Sequence, residues 1–198
     1  MKRIFSLILV LMAVQMMSFA TVESFKVTTT NVSGAGSITK VIESALQSTA
    51  DTARIIFDFG ISGTKVIKLD ETIDIPESKS GVLLIDGSSS LDTVIFDGTD
   101  KTFTGFYLKS AHVVAFKKVN FRNFGKALEN YTSRLNIYDC EFTGNKVGVY
   151  LGYYSNEIDG CVFGSNEKGL HIESNAAKIT NCKFGLSKDE QITMKNGI

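Results

Sequence analysis

Asp139, Glu157 and Asp159 fall in neighbouring units of an internal repeat, with Arg134 close by in sequence. Carboxylates held near one another can serve acid–base chemistry or bind a hard divalent cation such as Ca²⁺, and an arginine beside them can act on an anionic substrate. Asp is also the ordinary residue of solvated turns, because its side chain bonds local backbone. A second set is aromatic. All six tyrosines lie between 107 and 154. Tyr107 and Tyr150 each follow a Gly–apolar pair, which places them outward, and Tyr153 and Tyr154 follow on the next loop. Exposed flat rings on a rigid sheet can stack on sugars while their hydroxyls hydrogen-bond. Ordinary strand propensity at half-buried positions accounts for tyrosines there as well. His112 and His171 each stand without a second ligand in sequence, which reads as surface histidine.

What must position these residues is a repeat of 21 residues marked by Cys140, Cys161 and Cys182. Ile137, Ile158 and Ile179 share one register, as do Phe142, Phe163 and Phe184, while Asn145 matches Asn166 and Gly148 matches Gly169. Val119 and Phe121 occupy the same places one unit earlier. Short apolar alternations separated by Asp, Gly and Asn read as strand–turn–strand, and no helical stripe runs through the unit. So small a unit cannot bury its own apolar face; stacked at about 4.8 Å per rung, it can. The spacing predicts an all-β chain, a parallel β-helix of about 21 residues per coil. The paired Asn residues read as a short structural ladder, and the cysteines as small buried hydrophobes rather than a disulfide framework, since three is an odd number.

Composition agrees with one such domain over residues 21–198. Seventeen glycines and one proline suit tight turns between ladder-bonded strands. Formal charge is zero, so nothing points to nucleic acid or to an anionic membrane surface. Residues 1–20 read as a secretory signal: Lys2 and Arg3, an apolar run from Ile4 to Met17 too short for a span, then Ser18-Phe19-Ala20. The mature chain is thus expected outside the cell or at its surface, with no membrane segment. Asn31-Val32-Ser33 and Asn130-Tyr131-Thr132 are glycosylation sequons.

Ahead of the coils, Phe25–Thr30 alternates as a strand, and Ser37 can cap an amphipathic helix through Ile38, Val41, Ile42, Ala45 and Leu46. Such a helix would cover the first rung. The segment of about 25–60 is expected to be this cap, with coils over about 82–198.

VTTTNVSGAGSITKVIESA (27–45), ARIIFDFGISGTKVIKLDETIDIP (53–76) and GVLLIDGSSSLDTVIFDG (81–98) together resemble the opening of secreted pectate lyases, of the right-handed parallel β-helix or pectin-lyase-like superfamily. Ile56–Thr64 matches that family's IVFDVSGTI strand, and Leu84-Ile85-Asp86-Gly87 its TIDG turn. The resemblance implies a right-handed coil and, in its enzymes, Ca²⁺ held by carboxylates with an arginine base acting on a uronate. Asp139 matches one of those carboxylates. The family's next acidic turn is here Asn145-Lys146-Val147-Gly148, and its basic segment has no counterpart after Ser187. The leading expectation is a secreted β-helix that engages polysaccharide without cleaving it and without a cofactor, through Tyr107, Tyr150, Tyr153 and Tyr154. The alternative is a Ca²⁺-dependent lyase using Asp139, Glu157, Asp159 and Arg134, with Asp139 and Asp159 as metal ligands. A third is an adhesion or structural module. The repeat loses register after Leu186, which reads as a shortened coil or one that pairs end to end with a second copy.

Overall fold

The structure, a computed structural model, describes residues 20–89, 93–100, 102–109, 112–152, 154–173, 176–185 and 192–194. The expected leader (but for Ala20), Tyr153 and the tail residues Lys188, Asp189, Glu190 and Lys195 lie outside the described residues.

Strand β1 (Val22–Val27) leads to helix α1 (Ile38–Ala45), and the chain then winds through three faces in strict rotation. The first face holds β1, β2 (Thr52–Phe57), β5 (Val82–Asp86), β8 (Val113–Lys117), β11 (Arg134–Tyr138), β14 (Asn156–Asp159) and β17 (Ala177–Thr180). The second holds β3 (Lys65–Lys68), β6 (Val94–Asp97), β9 (Asn120–Arg122), β12 (Glu141–Thr143), β15 (Val162–Gly164) and β18 (Lys183–Phe184). The third holds β4 (Ile73–Ile75), β7 (Thr104–Leu108), β10 (Lys126–Asn130), β13 (Val147–Leu151), β16 (Lys168–Ile172) and β19 (Ile192–Met194). Every described pairing is parallel, and each strand pairs with its equivalents one coil before and after. This is a parallel β-helix.

The registers are those of the repeat: Ile137 pairs with Ile158 and Ile158 with Ile179, while Phe121, Phe142, Phe163 and Phe184 form one row. From Phe121 onward the rings of that row stack 5.0 Å apart and within 7° of parallel. Coils begin earlier than expected. β2, β3 and β4 already make a complete coil at 52–75, joined in register to the next through Ile55–Ile85, Ile67–Phe96 and Ile73–Phe106. Successive partners Thr52, Val82, Val113 and Arg134 show that the first coils are longer than the later ones, which hides them from a search at fixed period.

α1 fills the end of the coil as expected. Ser37 is its N-cap, its side chain accepting from the Lys40 N–H, and Ile38, Val41, Ile42 and Ala45 are buried. Two columns of left-handed residues turn the corners. Lys118, Asp139, Gly160 and Asn181 (φ +50 to +67°) stand between the first and second faces. Thr99, Asn123, Gly144 and Ser165 (φ +53 to +65°) stand between the second and third. A single residue in this region reverses the chain direction within one step, at least strain for Gly and Asn.

Polar groups inside are also stacked. Asn166 Oδ1 accepts from Asn145 N and Nδ2, both at 2.9 Å, and Asn145 Oδ1 accepts from Phe124 N at 3.0 Å. A second ladder was not foreseen: Asn130 Nδ2 donates to Asn156 Oδ1 and to Ser133 O, both at 2.8 Å. Asn130 is fully buried, so the folded chain withholds that sequon amide, whereas Asn31 is exposed. Cys140 and Cys161 are buried, Cys182 is half-buried, and all three are free thiols.

Replacing Phe163 with Ala should cost about 3–5 kcal/mol in denaturant unfolding, as large-to-small core changes do. In the native protein, Cys182 should alkylate before Cys140 and Cys161. Rapid labelling of all three by mass spectrometry would contradict the stacked register.

Candidate functional site

Alternation along the first face sends Glu157 and Asp159 outward from β14, on strand positions about 7 Å apart. Their oxygens are already engaged. Glu157 accepts from Lys178 Nζ at 2.7 Å and from the Tyr138 hydroxyl at 3.0 Å. Asp159 Oδ1 accepts from Thr180 Oγ1 at 2.6 Å and Asn181 Nδ2 at 2.8 Å. The bond and charge of Lys178, with the bond from Tyr138, hold the Glu157 carboxyl below its usual range, and the bonds from Thr180 and Asn181 do the same for Asp159. Burial and the Glu157 bond push the Tyr138 phenol up. A general acid needs a carboxyl raised toward neutrality, so both groups are tuned the wrong way for that role.

Asp139 is one of the corner residues, at φ +52°. Its Oδ1 would lie 2.6 Å from a Cβ on Gly160, so the glycine one coil on makes room for it. Arg134 opens β11 while Tyr138, the partner of Asp159, closes it. The arginine thus sits roughly 13 Å along the strand from the Asp159 end. The shallow groove of about 640 Å³ between them has an apolar floor of Val82, Leu84, Val113 and Ala115. Arg134, Asp139 and Asp159 line this one groove, and Glu157 is not among its lining residues. Among the described residues, no three His, Cys, Asp or Glu side chains come together in a way that could hold a metal ion. Ca²⁺ takes six to eight oxygen ligands.

The outer face of the third sheet is chemically richer. One outward row reads Asp74, Tyr107, Glu129, Tyr150, His171 on successive coils. Tyr150 does take the outward position, but its side is covered: it is 8% exposed, its ring 5.2 Å from Tyr131 and stacked 4.8 Å from His171. Burial, with bonds to Tyr131 and Glu173, raises its phenol strongly. The free ring platform expected at Tyr150 is therefore absent. His171 likewise lies packed on Tyr150, with Nε2 3.4 Å from Glu173 Oε1. Tyr154 is 52% exposed on its loop.

Half-buried aromatic surface lies instead at Tyr107 and Tyr131, whose rings meet edge-on at 6.0 Å, with Lys109 Nζ 4.6 Å over the Tyr107 ring. With Thr72, Asp74, Thr104 and Glu129 they line an open groove of about 440 Å³. A second depression, about 410 Å³, lies between α1 and β4 and adjoins it at Thr72 and Asp74, which line both. Glu129 is 9% exposed, accepting from Thr104 Oγ1 at 2.8 Å and paired with Lys126. Sequence reasoning missed Tyr131, because it lies just beyond β10 and outside the outward alternation. It missed Asp74 because β4 precedes the regular period.

A family model described as right handed beta helix region matches residues 60–198. The match covers the coils from Gly60 onward and not β1, α1 and β2, where much of the pectate lyase resemblance lies. No curated protein and no solved structure matches the chain.

The lowered carboxyl of Glu157 makes a prediction with a definite sign. The stabilisation from its bonds is present above the ordinary glutamate range, about pH 4.3, and lost as pH falls through the lowered folded-state value. In an NMR titration, Lys178→Met should move the Glu157 midpoint upward and leave Asp159 still below its usual range, held by Thr180 and Asn181.

Proposed function

The chain belongs to the right-handed β-helix family, and from that premise we propose that it is an exported protein that holds a polysaccharide against the outer face of its third sheet without cleaving it. The observation that carries this reading is the groove in which the rings of Tyr107 and Tyr131 stand beside Thr72, Thr104, Asp74 and Glu129. Phenol faces offer stacking surface to the apolar faces of sugars, and hydroxyls and carboxylates placed around them accept and donate to sugar hydroxyls. A surface of regular repeat suits a polymer of regular repeat. The leader pattern in residues 1–20 supports export. The reading without cleavage is supported by the first face, where the Glu157 and Asp159 carboxyls are engaged by Lys178, Tyr138, Thr180 and Asn181 and lie below their usual range.

Affinity electrophoresis and calorimetry against a panel of soluble polysaccharides test this. Tyr107→Ala or Tyr131→Ala should weaken binding about tenfold, the scale of one lost aromatic contact. Tyr154→Ala, outside the groove, should change it little, and EDTA should not matter. Ca²⁺-dependent release of unsaturated uronides from polygalacturonate, lost in Asp139→Asn, would replace this reading with the lyase.

A further inference from the structure

Two lysine ammonium groups on the third face sit in closely similar surroundings. Lys109 Nζ lies 4.6 Å over the Tyr107 ring and 2.7 Å from Asp74 Oδ2. Lys126 Nζ lies 4.7 Å over the Tyr150 ring and is paired with Glu129, whose second oxygen takes the Thr104 hydroxyl. Each socket combines a phenol face with a carboxylate. That pairing favours a cation twice over, through the ring quadrupole and through a charge-assisted hydrogen bond. The row itself supplies the sockets, because from Asp74 through Tyr107, Glu129 and Tyr150 to His171 it carries acids and rings and no lysine or arginine. The lysines reach in from neighbouring positions.

The wider groove has the same bias. Glu43, Glu71, Asp74 and Glu129 line it and the depression that adjoins it against one lining cation, Lys109. Lys40 and Lys126 pair with Glu43 and Glu129 from the rim, and a surplus of negative charge remains. A uronate entering here would meet carboxylates and would have to draw lysines away from their partners. A sugar ammonium would meet a socket already shaped for one.

The two sockets differ in how firmly they are held. The Lys109–Asp74 pair is exposed, with side-chain accessibilities of 47% and 54%. Such pairs contribute little and open readily. The Lys126–Glu129 pair is more covered, at 34% and 12%. An amine fixed on a sugar ring also loses less freedom on binding than a lysine arm does. Resting on the reading of this groove as a glycan site, we propose that its ligands are glycans bearing free amino groups, and that Lys109 occupies an ammonium subsite from which such a ligand displaces it.

The test titrates the protein with a glucosamine tetramer, its fully N-acetylated counterpart and a galacturonate tetramer. The titration is run at a pH of about 5.5, which protonates the sugar amine. The amino tetramer should bind best, and its advantage should shrink in high salt. Lys109→Ala, an exposed substitution, should tighten amino-tetramer binding about tenfold by emptying the subsite, and Asp74→Asn should weaken it by a similar factor. Equal binding of the acetylated tetramer, or tighter binding of the galacturonate, would overturn the charge class and leave the glycan reading standing. Amino-tetramer binding indifferent to both substitutions would overturn the subsite. Binding of none of the three, to wild type or to Lys109→Ala, would remove the glycan reading itself.

Discussion

Parallel, in-register pairing makes each side chain the neighbour of its own equivalent one coil away, at about 4.8 Å. Inside the coil this favours repetition. Phenylalanine stacks on phenylalanine from 121 to 184, and isoleucine on isoleucine from 137 to 179. Thiols fall in a column because a small apolar group fits where its copy fits. Polar groups survive inside only where they can repeat as well. Asparagine can, since its amide both donates and accepts, and each member passes a bond to the next. A carboxylate column could not, because two like charges at that spacing repel.

Outside, the same spacing forbids repetition of charge. The row through Asn136, Glu157 and Lys178 alternates neutral, negative and positive, and the row through Lys117, Tyr138, Asp159 and Thr180 does likewise. An outward carboxylate therefore arrives with a partner on the adjoining coil. For Glu157 and Asp159 that partnership explains both their lowered carboxyls and their unsuitability as proton donors. The turn acids follow the same logic. Burial pushes the Asp86 and Asp97 carboxyls up, but bonds from Ser88 and Arg54, and from Asn123, Thr99 and Arg122, outweigh it and hold both below their usual range. The motif around Asp86 is scaffold.

On the third face the alternation takes a different form. Acid follows ring, no lysine or arginine stands in the row from Asp74 to His171, and lysines from flanking positions pair with its acids. Balance achieved sideways leaves a groove, because the arms lie over the rings rather than between the coils. That face is where surface chemistry remains available to a ligand, and it adjoins the cap helix, which closes the coil and walls the groove at once.

The coil, its later registers and its cap were legible in the residues alone. These rest on local spacing: Cys140, Cys161 and Cys182 recur at the period, and Ser37 precedes an amphipathic run, so the pattern and the physics that reads it are both one-dimensional. The earliest coil escaped because its length departs from the period while its pairing does not, as Ile55 to Ile85 shows. Exposure and partnership were set by stacking between coils. Tyr150 and Tyr107 share one outward row, yet Tyr131 and His171 bury the first, while the second stays half-buried beneath Lys109 in the lining of a groove. Asp139, Glu157 and Asp159 look alike in sequence, and whether such acids are free or already bonded depends on Lys178, Thr180 and Asn181 a coil away. Register along the chain says which way a side chain points. Only the neighbours that stacking brings from other coils say what it meets there.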